Sequence, residues 1–411
     1  MPSILLVNRV FPPDRGATGR CLADLAGRLA ALGWRVTVVA DGAAGADVDT
    51  PPGVTLHRAG RGVPEGSGPD ALSYLGALRR LAWRALRLPR HDVVVTMTDP
   101  PLSACLGPLL AARHRAAAIH WSQDVYPALL PQVGVRLPPL LFALLDGVMA
   151  TALRRHDAVV AIGRCMARRL AGAGAGAGVA AERVTVLPNW PDPLVRPLAK
   201  EPNRVRAGLG WEGRFVVAYS GNLGLAHPMG GVLEAAALLR DDPSVRFLVV
   251  GEGRGHAAFT EAVRSRGLAN VAVLPWQPAD RLAESLSVAD LHLAIMAGPA
   301  EGLMVPSKLA SAMAAGRPCL FLGPEGSEAA RRLDGCGGVL AAGDGAGLAE
   351  AIRAYAADPA RCAAEGTKAA AVAASWTADH AALRFSALAE ALLERRRGRV
   401  GAPAWQRLPY A

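Results

Sequence analysis

Several signals are missing from this chain, and each absence removes a class of protein. The six cysteines (Cys21, Cys105, Cys165, Cys319, Cys336 and Cys362) are scattered, with no Cys-x-x-Cys pair. That argues for reduced, packed thiols and against a disulfide framework. No His-x-x-x-His spacing and no Cys/His cluster occurs, so no metal site is expected. Aromatic residues make up only 5%, are not interleaved with the basic ones, and form no reader motif; nucleic acid is therefore not an expected partner. The first strand-to-helix turn, "NRVFPPDRGATGR", lacks Gly-x-Gly-x-x-Gly, which argues against a nicotinamide dehydrogenase. No long apolar run is present either. "LPPLLFALLDGVMATALRR" opens on prolines, is broken by Asp146, and is too short to span a bilayer. "MPSILLVNRVFPPDRG" holds only the apolar run "ILLV" and does not read as a signal peptide. A cytoplasmic location is the expectation.

What is present suits large buried sheets. Of 411 residues, 51% are hydrophobic and 19% charged, too apolar for disorder. The net charge of +10 fits either an anionic partner or an Arg-rich composition with no special partner. Short apolar runs alternate with helical patterns. "SILLVN", the helix-like "TGRCLADLAGRLAALG" and "WRVTVVA" make one right-handed parallel unit. Further strands are predicted at "HDVVVTMT", "AAAIHWS", "DAVVAIG" and "RVTVLPN". The Pro-rich "WPDPLVRPLAKEPNRVRAGLGWEG" then reads as a linker. A second series follows at "RFVVAYSG", "VRFLVVGEG", "VAVLPW", "DLHLAIM", "RPCLFLG" and "GGVLAA". The pattern predicts an α/β fold of two doubly wound Rossmann-like domains joined near residue 195 and facing across a cleft. "AGAGAGAGVAAE" reads as a loop elaboration, and the tail "ERRRGRVGAPAWQRLPYA" as loosely ordered; no repeat array is found.

Ligands of open parallel sheets bind outside the carboxyl ends of strands, and the polar motifs fall there. After the first strand, Gly16 and Ala17 allow a close backbone approach to a ligand, with Thr18 as a helix cap; an ordinary turn is the alternative. Asp99, before Pro100-Pro101, either faces the cleft or fixes a turn. "IHWSQDVYPALLP" puts His120, Ser122 and Asp124 on one strand face, where a carboxylate or imidazole could accept a proton or bind hydroxyls; a polar loop over the core is the other reading. Gly221, Asn222 and Gly224 open the second half, and "VVGEGRG", with Gly251, repeats the logic. Trp276 and Gln277 follow a strand and either hold a nucleobase or, for Trp276, pack in the core.

"EGLMVPSKL" (Glu301–Leu309) concentrates the chemistry. A helix is predicted to begin at Val305 or Pro306, where proline costs little. Free amides at such a start, in the stretch Gly302, Leu303, Met304, Val305, favour an anion. Ser307 adds a hydroxyl and Lys308 a positive charge, while Glu301 can accept hydrogen bonds from sugar hydroxyls. That combination complements a sugar diphosphate; a solvated surface lysine is the alternative.

Taken in order, "FPPDRGATGR", "WSQDVYPAL", "VVAIGRCMARRL", "LPNWPDP", "AYSGNLGLAH", "VVGEGRG" and "EGLMVPSKLASAMAAGRP" resemble the retaining glycosyltransferases of family 4, with the GT-B fold, most closely the bacterial surface-polysaccharide type. The resemblance implies an acceptor-binding domain over 1–195, completed by a crossing C-terminal helix at about 378–411, and a donor domain over 196–377. It implies a nucleotide-diphosphate sugar as substrate rather than cofactor, a glycan or lipid-linked acceptor, and no metal. Catalytic roles fall on Glu301, Lys308, Asp124 and His120. Donor contacts fall on Gly221, Asn222, Gly251, Trp276, Gln277, Gly302, Leu303, Met304, Val305 and Ser307. Acceptor contacts fall on Gly16, Ala17, Thr18 and Asp99. The family's two glutamates eight positions apart map to Glu301 and Leu309, so the second is lost; Asn222 replaces a common arginine, and Gln123 a common histidine. Other readings of the same fold are a nonhydrolysing sugar-nucleotide epimerase and a catalytically silent nucleotide-sugar-binding subunit. "GALRRLAWRALRLPRHD" spaces Arg79, Arg80, Arg84, Arg87 and Arg90 among Leu78, Leu81, Trp83, Leu86 and Leu88. This suits an anionic membrane interface, at the inner face of the plasma membrane, or else a plain Arg-decorated helix.

Overall fold

The computed structural model describes residues 1–14, 16–42, 50–60, 71–172 and 176–398. The centre of the Ala-Gly run and the end of the basic tail lie outside the described residues. Two parallel sheets organise the chain. The first contains β1 (Ser3–Val7), β2 (Arg35–Ala40), β3 (Val54–Arg58), β4 (Val93–Met97), β5 (Ala117–Ser122), β6 (Ala158–Ala161) and β7 (Val184–Val186), in the order β3-β2-β1-β4-β5-β6-β7. The second contains β8 (Phe215–Ser220), β9 (Val245–Val250), β10 (Val271–Leu274), β11 (Leu291–Ile295), β12 (Cys319–Leu322) and β13 (Gly337–Leu340), in the order β10-β9-β8-β11-β12-β13. Every residue of β1, β4, β5, β6, β11 and β12 is buried, as expected of strands covered by helices on both faces.

β3 is the strand the sequence did not reveal. It lies at the sheet edge, is only half-buried, and reads "VTLHR", too polar to stand out as an apolar run. In each sheet the order reverses beside the first strand, at β1/β4 and at β8/β11. Ligand crevices open at such points.

The chain changes allegiance between Trp190, which packs in the first sheet's core, and Val195, which packs in the second half's. It returns at the end. Helix Ala378–Arg396 lies along helix Ala17–Ala31 and puts Phe385 into the first core. There Trp121 stacks on Trp190 at 5.9 Å and meets Phe385 at 5.8 Å. The Trp34 indole N–H, buried in the same core, donates to Ser386 Oγ at 2.8 Å. Ser386→Ala would strand that donor, so it is expected to lower stability by about 1–3 kcal/mol. Urea unfolding checks this, and no change in the midpoint would contradict the assignment.

Candidate functional site

The two halves meet along their strand exits. Val125 N, just after β5, donates to Leu303 O at 2.8 Å. Gly302 has φ +72°, and a Cβ there would stand 3.1 Å from Cys165 O of the first half; both facts favour glycine. Arg164 N, the first residue of helix Arg164–Ala171, donates to Glu328 Oε2 of the second half at 2.8 Å. Asp124 and Glu301 thus each lie within two residues of the same interdomain hydrogen bond.

The two switch points differ in charge pairing. At the first, Arg9 and Asp99 close the gap between the β1 and β4 exits with a two-pronged ion pair, Nε–Oδ1 2.7 Å and Nη2–Oδ2 2.9 Å. Asp99 is therefore the partner of Arg9. At the second switch point sits Lys308, with no carboxylate among the described residues within ion-pair range. Its Nζ donates to Tyr219 Oη at 2.6 Å and to Asn222 O at 3.0 Å, and Tyr219 Oη donates to Asn222 O at 2.8 Å. Burial lowers the Lys308 pKa to about 7. The stem lies on Gly221 (φ +152°), where a Cβ would come within 1.9 Å of Lys308 Cε. Gly251 and Gly253, after β9, let that exit pack on the β8 exit: added Cβ atoms would stand 2.1 Å from Gly221 O and from Asn222 Oδ1. Tyr219 was missed in the sequence; its only signal is a phenol near the end of a largely apolar strand.

Several expectations around this lysine need correction. The helix begins at Lys308, not at Val305 or Pro306, and ends at Ala314. The Leu303 and Met304 amides donate back to Ala300 O, at 3.0 and 3.4 Å, so neither is free for a phosphate. Their side chains are buried or half-buried, and Val305 packs against the first sheet's core. Ser307 is exposed and does not cap the helix. Leu309 is 2% exposed in the core, so even a glutamate there would not meet a ligand. Trp276 is 39% exposed beyond β10, which removes the core-packing reading, whereas Gln277 turns its amide onto Pro275 O at 3.0 Å. Glu301 is half-buried beside Gly326, where a Cβ would stand 2.6 Å from its Oε1.

On the first half, His120, Ser122 and Asp124 line one recess with Thr98 and Tyr126. Asp124 N and Gln123 N both donate to Thr98 Oγ1, at 3.3 and 2.7 Å. Burial, reinforced by the charge of Asp99, raises the Asp124 pKa to about 7. His120 is 2% exposed and hydrogen-bonds Thr96 Oγ1 at 3.0 Å; burial and nearby His156 hold its pKa well below the usual value. It forms a buried, neutral wall of the recess. Gln123 and Asn189 exchange amide hydrogen bonds of 3.1 and 2.6 Å, fixing the β5 exit to the β7 exit. Gly16 and Gly19 make room for Val10 of their own loop rather than for a ligand, with Cβ positions 3.0 and 2.8 Å from its Cγ1. Ala17 is exposed, and Thr18 lies inside the first helical turn, where Gly16 is the cap residue.

An architecture of two facing doubly wound sheets of this kind, with the last helix returning to the first, is the GT-B form of glycosyltransferase. Family models bear this out: a glycosyl transferase 4-like domain matches residues 16–190 and a glycosyl transferases group 1 domain matches residues 214–358. Together they take in most of the chain, which belongs to the glycosyltransferases of the family 4 type. A putative colanic acid biosynthesis glycosyl transferase of Escherichia coli, WcaI, is 34% identical over 142 residues, 34% of this chain and 35% of that protein. A probable glycosyltransferase of Pseudomonas aeruginosa, WbjE, is 27% identical over 266 residues, 61% of this chain and 62% of that protein. The matches thus span less than two thirds of either relative. Among solved structures, HepE from Anabaena in complex with UDP-glucose superposes with a TM-score of 0.71 at 18% identity, covering 95% of this chain and 99% of that one. Sucrose-phosphate synthase from Thermosynechococcus elongatus gives 0.77 at 17% identity, covering 96% and 100%.

Two titrations follow from the buried charges. Lys308 is harder to protonate folded than unfolded, so its stability cost is full below about pH 7 and fades as pH rises toward 10.5. Lys308→Met is therefore expected to raise the melting temperature most in mild acid, with a gain that shrinks with rising pH; a pH-independent change would contradict this. Asp124 has the opposite dependence: folding disfavours its ionised form, at a cost absent below its ordinary pKa of 3.8 and full above about 7. Asp124→Asn is expected to stabilise the fold only as pH climbs through that window. Melting curves across pH check both.

Proposed function

We propose that the protein moves a sugar from a nucleotide-diphosphate sugar to a hydroxyl of a lipid-linked or polysaccharide-precursor glycan, retaining configuration at the anomeric carbon. The observation that carries the reading is Lys308: a desolvated ammonium with no acidic partner among the described residues, laid over Gly221 at the second switch point. Such a cation gains most when two phosphoryl groups supply the missing counter-charge. As the anomeric C–O bond breaks, its electron pair passes to the diphosphate, and Lys308 is stronger toward that growing charge than toward the bound donor. Removing one such fixed donor costs about 3 kcal/mol of barrier. The acceptor hydroxyl attacks from the leaving-group face, and its proton passes to the departing phosphate oxygen. Glu301 holds donor hydroxyls, and Asp124, across the seam, orients the acceptor. The retaining course rests on the family resemblance of the ordered motifs. UDP and UDP-glucose, bound by the Anabaena relative, make uridine the first base to test.

A place at a membrane rests on the first half's surface. Helix Pro139–Arg154 exposes Leu140 (87%), Leu144 (62%) and Val148 (44%), and Arg154 stands in its last turn. Among the described residues no helix is long and apolar enough to cross a membrane. This face suits lying on an anionic interface. The arginine-rich helix Ala71–Leu86 contributes less than its sequence suggests. Arg80 pairs with Asp41 at 2.6 Å, Arg84 with His57 Nδ1 at 2.8 Å, and Arg87 stacks on Trp83 at 3.5 Å.

A thermal-shift panel of nucleotide-sugars tests the donor reading: at ~100 times its dissociation constant the true donor stabilises by roughly 2.7 kcal/mol, and Lys308→Met abolishes the shift. No response to any nucleotide-sugar would overturn the proposal; a change of the sugar without any acceptor would point to the epimerase. Flotation with anionic and zwitterionic vesicles tests the surface. Leu140→Asp with Leu144→Asp is expected to abolish anionic-vesicle binding, and equal flotation of the variant would contradict it.

A further inference from the structure

A second recess, lined by several charged side chains, lies where the chain crosses between its halves. It is built from both halves and from the crossing segment, and it shares no lining residue with the Lys308 cluster. Arg164 comes from the first half, Glu328, Arg331 and Arg332 from the helix after β12, and Trp376 and Arg384 from the return to the first half. Among the described residues, four guanidinium groups and one carboxylate line it.

That carboxylate is fully used. Glu328 Oε2 accepts from Arg164 N at 2.8 Å, and Oε1 accepts from Arg331 Nη2 and, at 3.2 Å, from Arg332 Nε. Arg332 is held flat by Trp376, with Cζ 3.9 Å from the ring centroid. Its side chain is only 6% exposed, yet Nη2 has no hydrogen-bond partner. A buried guanidinium N–H without an acceptor is rare and costly in a finished protein. Planar guanidinium groups match oxyanions in shape as well as charge. We propose that this recess binds a small organic oxyanion, a phosphate monoester or a carboxylate, with Arg332 Nη2 and Arg331 as its principal donors. The two sources of that chemistry are a phosphorylated metabolite and an acidic sugar of the glycan. Because Glu328 also caps the first half's helix Arg164–Ala171, an anion bound beside it sits on the contact that holds the two halves together.

Isothermal titration of the full chain with inorganic phosphate and with glucuronate, at low ionic strength, tests this. Expected is binding of at least one, weakened about tenfold by Arg332→Met, the loss of one charge-assisted hydrogen bond, and unchanged by Lys308→Met. Arg331 is half-exposed, so Arg331→Gln gives the same reading should the Arg332 variant fail to fold. Preference for phosphate identifies the metabolite; preference for glucuronate identifies the acidic sugar. No binding of either anion overturns the proposal. So does binding that is lost in Lys308→Met but kept in Arg331→Gln, which places the anion at the donor site. UDP-glucose affinity, measured in Arg331→Gln, separates this proposal from the donor reading and is expected to stay unchanged.

Discussion

One uncompensated charge organises the second half of this molecule. A cation taken partly out of water normally finds a carboxylate, as the Arg9 guanidinium does at the other switch point with Asp99. Lys308 instead has a phenol and a carbonyl. Both are acceptors, and neither is an anion. The site is thus held in a state that an incoming anion improves. The glycines around it follow from the same constraint: Gly221 exists as glycine so that the lysine stem can lie across the strand exit, and Gly251 so that the neighbouring exit can press against it.

The seam between the halves joins this lysine to the rest. Leu303 is bonded to Val125, Gly302 abuts Cys165, and Glu328 caps a helix of the other half. The first two contacts come from the loop after β11 and the third from the helix after β12. Joining the two halves and shaping the corner around Lys308 are therefore one structural act, and Asp124 and Glu301 are set on either side of it. The pKa of Asp124, raised to about 7 by burial, suits a group that exchanges hydrogen bonds with a neutral hydroxyl better than one that carries a fixed charge.

Much of this was legible in the sequence because parallel strands covered on both faces read as plain apolar runs. Only β3 escaped, being an edge strand with histidine and arginine in it. That Lys308, Glu301, Gly221 and Asp124 follow strands was legible because charged residues and glycines at strand exits stand out against apolar runs. Direction was not legible. Whether the Leu303 and Met304 amides point outward, whether Asp99 meets a ligand or Arg9, and whether Gly16 admits a substrate or Val10 depend on contacts between segments far apart in the chain. His120 shows the same limit: alternation placed it correctly on the face of Asp124, but not that burial would hold it neutral. The Arg332–Trp376 stack joins residues 332 and 376 through tertiary packing alone.

The most direct measurement is a crystal structure of the protein with UDP bound. The account requires a phosphate oxygen about 2.7–2.9 Å from Lys308 Nζ, with the stem still lying on Gly221. A diphosphate bound elsewhere, or Lys308 turned outward to water while UDP occupies the cleft, would contradict it.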